Sequence, residues 1–329
     1  MSWGRLSTCL PLEGGSMLLK DKYGRKIRKL RVSLLDACNF RCFYCMPLNP
    51  KFRHHSQLLK PIEIENICRE LVGYGIEQIR ITGGEPTVRR DFQEIVSRIA
   101  QLPIAKLGLT SNGLLLANHF DFLKDHNCIN INISLDSLSA KKFHQITRTS
   151  SFDQVLQTIL QAQEMGFNLK INTILMKGFN DDEIIDFVEF SAKYEIEVRF
   201  LEMMRIGQIR DKQASMFISA ATAIEQIEEK YTLKPVVGQE VDSTSFNFTS
   251  ENGAHIGFIA SESRPFCGAC SRWRLSPTGT LRACLMSEKG INLRGLEQQQ
   301  LQVALSEVLE MKPIGRIKEL NQDMHQIGG

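Results

Sequence analysis

Two groups of three cysteines are the residues of this sequence best suited to carry chemistry. In the first, Cys38, Cys42 and Cys45 are spaced Cys-x3-Cys-x2-Cys within one short stretch. Thiolates on such a loop can bind three irons of a [4Fe–4S] cluster, and with no fourth cysteine nearby the fourth iron stays open to a small molecule. A zinc site completed by His54 or His55 is one alternative, and a chance clustering of core cysteines is another.

The second group lies far along the chain. It consists of Cys267, Cys270 and Cys284, spaced Cys-x2-Cys-x13-Cys. The other three cysteines are scattered and extend neither group: Cys9, Cys68 and Cys128. Zinc or a structural cluster are alternatives at this spacing. An incompletely ligated second cluster, whose open iron binds a substrate nitrogen or oxygen, fits the cysteine count better.

The overall composition is that of an ordinary globular protein. The 329 residues are 43% hydrophobic and 23% charged, with a net charge of +3. That charge is too small to indicate a nucleic-acid partner, and no basic and aromatic stripe is present. The sequence has no apolar run of membrane-spanning length and no signal peptide. We therefore expect a cytoplasmic protein, in which clustered cysteines stay reduced and serve as metal ligands.

An alternation of β-rich and helical stretches predicts the scaffold that positions these thiols. Six runs have the pattern of strands: Leu30–Leu35, Gln78–Thr82, Lys106–Thr110, Ile129–Leu135, Leu169–Leu175 and Glu197–Glu202. Helical patterns lie between them: Ile62–Tyr74, Phe92–Gln101, Phe152–Met165 and Glu183–Tyr194. Glycines at helix ends or turns favour positive φ: Gly75, Gly113 and Gly166. Successive βα units predict parallel strands, so we expect an α/β fold with a partial, TIM-like (βα)6 barrel and chemistry at the strands' carboxyl ends.

The βα rhythm stops after about Met204, where polar, turn-rich and β-prone sequence begins. We therefore predict three parts. Residues 1–20 form an N-terminal extension, residues 21–204 form the barrel, and residues 205–329 form a smaller C-terminal domain that carries the second cysteine group.

Several predicted strand ends carry polar or small residues. Gly83, Gly84 and Glu85 follow the second strand, where the glycines let a ligand approach the backbone and the carboxylate can accept hydrogen bonds from an ammonium group. An ordinary strand-to-helix turn is the alternative. Other strand ends carry Thr110 and Ser134, for which helix capping is the alternative.

Basic residues lie on or beside the predicted strands: Arg31, Arg80, Lys170, Arg199, Arg272 and Arg274. Arg272 and Arg274 alternate along an extended segment, so both can point to one side. Guanidinium groups match the geometry of phosphate oxygens. Such a set in a nearly neutral protein indicates a polyanionic substrate, for which a triphosphate is suitable.

The first cysteine group, directly after a barrel strand and followed one βα unit later by Gly-Gly-Glu, resembles the radical S-adenosylmethionine superfamily. The aromatic Tyr44 before Cys45 fits the same pattern. The resemblance implies a fold of the radical S-adenosylmethionine type and a [4Fe–4S] cluster whose open iron binds S-adenosylmethionine and cleaves it to a 5′-deoxyadenosyl radical. It also implies the residues that contact this cofactor: Tyr44, Gly83, Gly84, Glu85, Ser134 and Met204.

Within that superfamily the chain is similar to the GTP 3′,8-cyclase family over residues 19–329. The motifs that carry this resemblance are Asn39–Cys42, Tyr44–Pro47, Leu135–Leu138, Lys170–Thr173, Arg199–Glu202 and the closing Ile327–Gly329. It implies two [4Fe–4S] clusters, with guanine anchored at the second, and GTP contacts from Arg31, Arg80, Thr110, Lys170, Arg272 and Arg274. It further implies catalytic support from Arg199, Gly328 and Gly329; a frayed end is the alternative for the two terminal glycines.

The resemblance implies a lyase that removes hydrogen from C3′ of GTP and joins C3′ to C8, the first step of molybdenum cofactor biosynthesis. An external electron donor, a downstream cyclic pyranopterin monophosphate synthase and a homodimer are expected with it. Gln78 and Ser271 depart from the family pattern, where a basic residue and Asn are usual. A radical enzyme acting on a peptide and a zinc-stabilised binding protein are the competing interpretations.

Overall fold

A twelve-stranded sheet organises the computed structural model, which describes residues 19–327. Its strands are β1 (Lys29–Ser33), β2 (Gln78–Thr82), β3 (Lys106–Ser111), β4 (Asn130–Ser134), β5 (Asn168–Leu175), β6 (Glu197–Glu202), β7 (Leu233–Pro235), β8 (Phe246–Ser250), β9 (His255–Ile259), β10 (Arg272–Leu275), β11 (Thr280–Arg282) and β12 (Ile291–Asn292). Their spatial order is β12-β11-β10-β1-β2-β3-β4-β5-β6-β9-β8-β7. Residues 1–18 of the predicted extension, and Gly328 and Gly329, lie outside the described residues.

The described helices are α1 (Pro61–Gly73), α2 (Phe92–Ala100), α3 (Phe120–Asp125), α4 (Ala140–Thr147), α5 (Phe152–Glu164), α6 (Ile184–Tyr194), α7 (Gln213–Met216), α8 (Ala220–Glu228), α9 (Gln298–Glu310) and α10 (Met324–Ile327). Strands β1 to β6 pair in parallel in sequence order, which confirms the predicted partial barrel. The predicted bounds of β2 and β6 are confirmed to the residue, and the bounds of the other predicted elements agree to within two positions. Among the described helices, none has the length and apolar character needed to cross a membrane.

The barrel strands alternate between apolar residues that pack beneath the helices and polar residues that face the interior. On β2, Ile79 and Ile81 are buried in the main core, while Arg80 between them lines an internal cavity. The same alternation follows from the two-residue period of a strand. Bulky branched side chains usually fill such barrels, but here the interior is a polar cavity of about 300 Å³.

The sequence from residue 205 onward extends the barrel sheet at both edges. Strand β9 pairs in parallel with β6, and β10 pairs in parallel with β1. Antiparallel partners then continue each side, through β8 and β7 at one edge and β11 and β12 at the other. Both exposed edges of the six-stranded part are thereby covered. The boundary after residue 204 stays a prediction, and the strands on its two sides share one sheet.

The attachment of β10 to β1 depends on a large buried side chain. Trp273 is 0% exposed and lies in the main hydrophobic core. We expect Trp273→Ala to lower the free energy of unfolding by about 3–5 kcal/mol, because it removes buried contacts and leaves a cavity. Urea unfolding followed by circular dichroism measures this. The control Val303→Ala, at an exposed site of α9, should change it by less than about 0.5 kcal/mol; equal effects of the two changes would contradict the expected role of Trp273.

Candidate active site at the carboxyl ends of the barrel strands

The first cysteine group lies on the loop after β1 and is held against the loop after β2. The Gly84 backbone N–H donates to Leu35 O at 2.7 Å, and the Glu85 N–H donates to Ala37 O at 2.9 Å. These two bonds join the segment that carries the thiols to the segment that carries the glycines. The two motifs that the sequence places one βα unit apart are therefore in direct backbone contact.

The same contact explains the two glycines. A Cβ on Gly84 would lie 2.3 Å from Ala37 O, and one on Gly83 would lie 2.9 Å from Leu35 O. Both distances are shorter than a side-chain carbon tolerates, so a larger residue would push the cysteine loop away. The sequence predicts close approach of a ligand here; in the structure the cysteine loop itself makes a close approach.

Glu85 is fully buried and ties the ends of β2 and β3 together. Its Oε1 accepts hydrogen bonds from Thr87 N at 3.0 Å, Thr87 Oγ1 at 2.6 Å and Ser111 Oγ at 2.9 Å. Its Oε2 accepts one bond, from Asn112 N at 2.7 Å. Burial raises the pKa of Glu85 although these bonds oppose the rise. Because a carboxylate oxygen accepts more than one bond, Oε2 keeps capacity for an ammonium group.

The cysteines of the first group are free and half-buried. Burial raises the pKa of Cys38 to about 11 and that of Cys45 to about 12, and it raises the pKa of Cys42 well above its usual value. The Cys38 sulfur accepts from Phe40 N at 3.3 Å and from Asn112 Nδ2 at 3.6 Å. Thiols in this environment stay protonated in the absence of metal, and each releases its proton to solvent when a metal binds the sulfur. The donor set therefore fits an iron–sulfur cluster.

Tyr44 connects the cysteine loop to the far side of the barrel. Its hydroxyl donates to Asp136 Oδ2 at 2.6 Å, and Asp136 Oδ1 accepts from Ile174 N at 2.9 Å. Burial raises the pKa of Asp136 to about 6. The predicted site residue Ser134 ends β4 two positions earlier. Asp136 is a site residue that the sequence reasoning did not single out, although it lies within a motif that it quoted.

The second cysteine group surrounds β10 and β11. Cys267 and Cys270 lie in the turn before β10, and Cys284 follows β11. Burial, and then the charges of Cys284 and Cys270, raise the pKa of Cys267. Burial opposes ionisation of Cys270 as well, but the charges of Arg272 and Lys312 outweigh it and lower the pKa of Cys270 to about 7. The surroundings of Cys270, unlike those of Cys267, thus favour a thiolate, the form that binds metal.

Within residues 19–327, no three His, Cys, Asp or Glu side chains are gathered as a single metal ion requires. All eight cysteines in that range are free of disulfides. Metal analysis of the purified protein distinguishes zinc from iron at the two cysteine groups.

The C-terminal tail lies between the two cysteine groups. Leu320 forms a parallel bridge with Ile206, and His325 Nδ1 lies 3.5 Å from Cys45 O. Ile327 packs in a small apolar cluster with Met204 and Cys284 among its neighbours. Met204, a predicted contact of S-adenosylmethionine, is therefore next to the tail. In the sequence, Gly328 and Gly329, which are predicted to support catalysis, directly follow Ile327.

Three arginines form a row across the barrel interior. The register places Arg31 opposite Arg274 of β10 on one side and Arg80 of β2 on the other. Burial, and then the charges of Arg274, Arg272 and Arg80, lower the pKa of Arg31 well below its usual value. Burial lowers the pKa of Arg80 and of Arg274 to about 10, with help from neighbouring arginines. Like charges held this close favour an anion between them.

Other predicted cations complete the wall of the cavity. Lys170 and Arg199 both pair with Glu197, at 2.6 Å and 2.5 Å. Thr110 ends the inner face of β3, opposite Asn132. All of the predicted GTP contacts except Thr110 and Arg274 line the cavity, and Arg274 lies in register beside Arg31.

Lys106 is a cation of the cavity that the sequence reasoning missed. It lies opposite Gln78, and its ammonium group has no hydrogen bond or ion pair among the described residues. Burial, then Arg80 and Lys170, lower its pKa. Lys106 thus supplies positive charge beside the position where Gln78 departs from the family pattern. The spacing in the sequence could have indicated this, because Lys106 and Gly108 are two residues apart on β3 and therefore face the same side.

The loop between β7 and β8 lines the cavity at its lower end, where the amino ends of the barrel strands lie. Lys29 Nζ donates to Glu240 at 2.7 Å and to Asp242 at 2.8 Å. Asp242 also accepts a hydrogen bond from Ser271, the second residue that departs from the family pattern. The charge of Lys29 is therefore neutralised within the protein, unlike that of Arg31 or Lys106.

Two family models match consecutive parts of the chain: the Radical SAM superfamily over residues 32–191 and Molybdenum Cofactor Synthesis C over residues 196–320. A GTP 3′,8-cyclase of Synechocystis sp. is 48% identical over 314 residues, 95% of this chain and 96% of its own length. A GTP 3′,8-cyclase of Aquifex aeolicus is 38% identical over 281 residues, 84% of this chain and 88% of its own length.

A crystal structure of Streptococcus suis SuiB bound to S-adenosylmethionine has a similar fold, with a TM-score of 0.61. It is 14% identical, and the match covers 84% of this chain and 66% of that one. At that identity the likeness concerns the fold alone.

The contact between the two loops predicts the effect of one added methyl group. Gly84→Ala should displace the cysteine loop and lower the iron bound at the first group by more than half, because its Cβ would overlap Ala37 O. Iron and sulfide analysis after anaerobic reconstitution measures this. Gly73→Ala, which meets no atom within 4 Å, is the matched control and should bind as much iron as the unaltered chain. Equal iron in all three proteins would show that the contact is dispensable.

Proposed function

The chain belongs to the GTP 3′,8-cyclase family of radical S-adenosylmethionine enzymes, and on that premise we propose that it converts GTP to (8S)-3′,8-cyclo-7,8-dihydroguanosine 5′-triphosphate, the first step of molybdenum cofactor biosynthesis. The observation that carries the proposal is a cavity inside a barrel whose mouth bears two groups of free thiols; four of its cations, Arg31, Arg80, Lys106 and Arg272, have no carboxylate partner among the described residues. Such a cavity suits a nucleoside triphosphate.

Two [4Fe–4S] clusters and S-adenosylmethionine are the proposed cofactors. The first cluster is assigned to Cys38, Cys42 and Cys45, and the second to Cys267, Cys270 and Cys284, with guanine at its open iron. When bound, the first cluster and S-adenosylmethionine supply a 5′-deoxyadenosyl radical that removes hydrogen from C3′ of GTP, after which C3′ bonds to C8. The proposed contacts to S-adenosylmethionine are Tyr44, Gly83, Gly84, Glu85, Ser134 and Met204.

The arginine row is proposed to bind the triphosphate. Arg274 and Arg80 both repel Arg31, and phosphate oxygens would relieve that repulsion with charge-assisted hydrogen bonds. The remaining proposed GTP contacts are Thr110, Lys170 and Arg272. Binding of the phosphates at the deep end of the cavity would hold the ribose and base toward the mouth, where the thiols lie.

Orientation and exclusion of water are the chain's main proposed contributions, since the reactive chemistry belongs to the cofactors. The acidic loop between β7 and β8 lines the cavity, and the loop after β1 and the tail are proposed to shield its mouth from water. Arg199 is proposed as a polar group that supports the reduction completing ring closure. Gly328 and Gly329 are proposed to support catalysis from the tail.

The same premise extends to the partners. We propose a cytoplasmic enzyme that receives electrons from an external donor, forms a homodimer and passes its product to cyclic pyranopterin monophosphate synthase. Size-exclusion chromatography with light scattering tests the dimer, and product transfer to a purified synthase tests the last step.

An anaerobic turnover tests the activity. Reconstituted protein is mixed with dithionite, S-adenosylmethionine and GTP, and 5′-deoxyadenosine and cyclised nucleotide are quantified by mass spectrometry. Both products should form together and depend on GTP. Deoxyadenosine without a nucleotide product would overturn the substrate, and a peptide substrate would then become the leading alternative. Zinc in place of iron would overturn the radical chemistry.

Two cysteine variants separate the roles of the thiol groups in that assay. Cys42→Ser should abolish formation of deoxyadenosine, because it removes a ligand of the first cluster. Cys270→Ser should lose the cyclised product while some uncoupled cleavage continues. Cys68→Ser, at a buried cysteine outside both groups, is the control and should keep both products. Normal deoxyadenosine from Cys42→Ser, or full cyclisation by Cys270→Ser, would each refute the corresponding assignment.

The arginine row makes opposite predictions for binding and for stability. Arg31→Met should weaken GTP binding by about 1.5–3 kcal/mol, or about 10- to 150-fold, through loss of a charge-assisted contact. The same change should raise the midpoint of urea unfolding without ligand, because it relieves repulsion from Arg274 and Arg80. Equilibrium dialysis and urea unfolding measure the two effects. Lys234→Met, an exposed change of equal charge, should alter neither, and an unchanged GTP affinity in Arg31→Met would remove Arg31 from the site.

A further inference from the structure

Lys312 is a buried lysine outside the set of residues discussed for substrate or cofactor contact. It follows α9 and is 2% exposed. Its Nζ donates to Arg272 O at 2.8 Å and to Ala283 O at 2.9 Å, and it lies 3.5 Å from the Cys270 sulfur. An ammonium group has three N–H donors, so each of them has a partner here.

These partners belong to the two chain segments that hold the second cysteine group. Arg272 is two residues after Cys270, and Ala283 immediately precedes Cys284. The Lys312 side chain therefore ties the start of β10 to the end of β11. It fixes the two segments by contacts that occupy Nζ away from solvent.

The charge of Lys312 requires an anion nearby. The neighbouring cation Arg25 has an anionic partner, because its Nε donates to Asp21 Oδ2 at 2.6 Å. Its Nη1 also donates to Cys267 O at 2.7 Å. Lys312 has no carboxylate partner among the described residues. A buried charge is costly unless it is paired and hydrogen-bonded. The nearest group that can be negative is the Cys270 sulfur.

We propose that Lys312 is a positioning residue of the second cysteine group: it balances the negative charge of the thiolates, donates a hydrogen bond to Cys270 Sγ, and so raises the reduction potential of an iron–sulfur cluster held there. This rests on the proposed function, since it takes iron at Cys267, Cys270 and Cys284. Hydrogen bonds to cluster sulfurs and local positive charge favour the reduced form, which is more negative by one electron. The same contacts should slow the loss of iron.

The test uses the full chain carrying Cys42→Ser, so that iron at the second group dominates the signal. Three further changes are made in this background: Lys312→Met, which keeps the apolar stem, Lys312→Gln, which keeps a donor but not the charge, and Lys124→Met. Lys124 is the matched control because its Nζ donates to Met165 O at an exposed site on α3. Redox titration monitored by electron paramagnetic resonance gives the midpoint potential, and iron release to a chelator gives the rate of loss.

Lys312→Met should shift the midpoint to a more negative potential and speed iron release several-fold. For Lys312→Gln, both the midpoint potential and the release rate should lie between those of Lys312→Met and the reference. Lys124→Met should match the reference in both measurements. If Lys312→Met fails to fold, Lys312→Gln decides the question by the same two measurements. Iron bound with unchanged potential and release rate in the lysine variants would overturn the role of Lys312 alone. Absence of iron from the Cys42→Ser reference would overturn the second cluster itself, and with it this role.

Discussion

Positive charge buried inside the barrel without an equal number of carboxylates is the constraint on which the rest of this structure depends. Arg31 lies between Arg274 and Arg80, and each of these arginines has a lowered pKa because burial and its neighbours oppose the charge. The barrel must be held together by other forces. The apolar outer faces of the strands, packed beneath the helices, provide them and leave the interior free to be polar.

Groups other than carboxylates are proposed to balance the remaining cations. Substrate phosphates are proposed to balance the arginine row, and cysteine thiolates are proposed to balance Lys312 at the second group. The protein neutralises other cations of the cavity itself: Lys29 pairs with Glu240 and Asp242, and Lys170 and Arg199 pair with Glu197. The cavity thus combines cations that have carboxylate partners with others, such as Arg31 and Lys106, that have none among the described residues.

Strand pattern and glycine position made much of the fold predictable. The six parallel strands follow from apolar residues at alternate positions, and Gly75, Gly113 and Gly166 do have positive φ, at 105°, 85° and 75°. The short strands after residue 205 were not assigned, because segments such as Leu233–Pro235 are too brief to show a period. Their pairing with the barrel edges depends on contacts between residues far apart in sequence, which no local pattern encodes.

The sequence by itself determined the chemistry available to this protein: two sets of thiols, a Gly-Gly-Glu turn and a series of arginines at alternate positions. Residue type and spacing are local properties, so they can be read without coordinates. Only the tertiary structure decided that Arg274 lies beside Arg31, that Gly84 meets Ala37 and that Lys312 reaches Cys270. Each of these contacts joins separate segments, and it forms only because the strands pair in a particular order and burial brings their ends together.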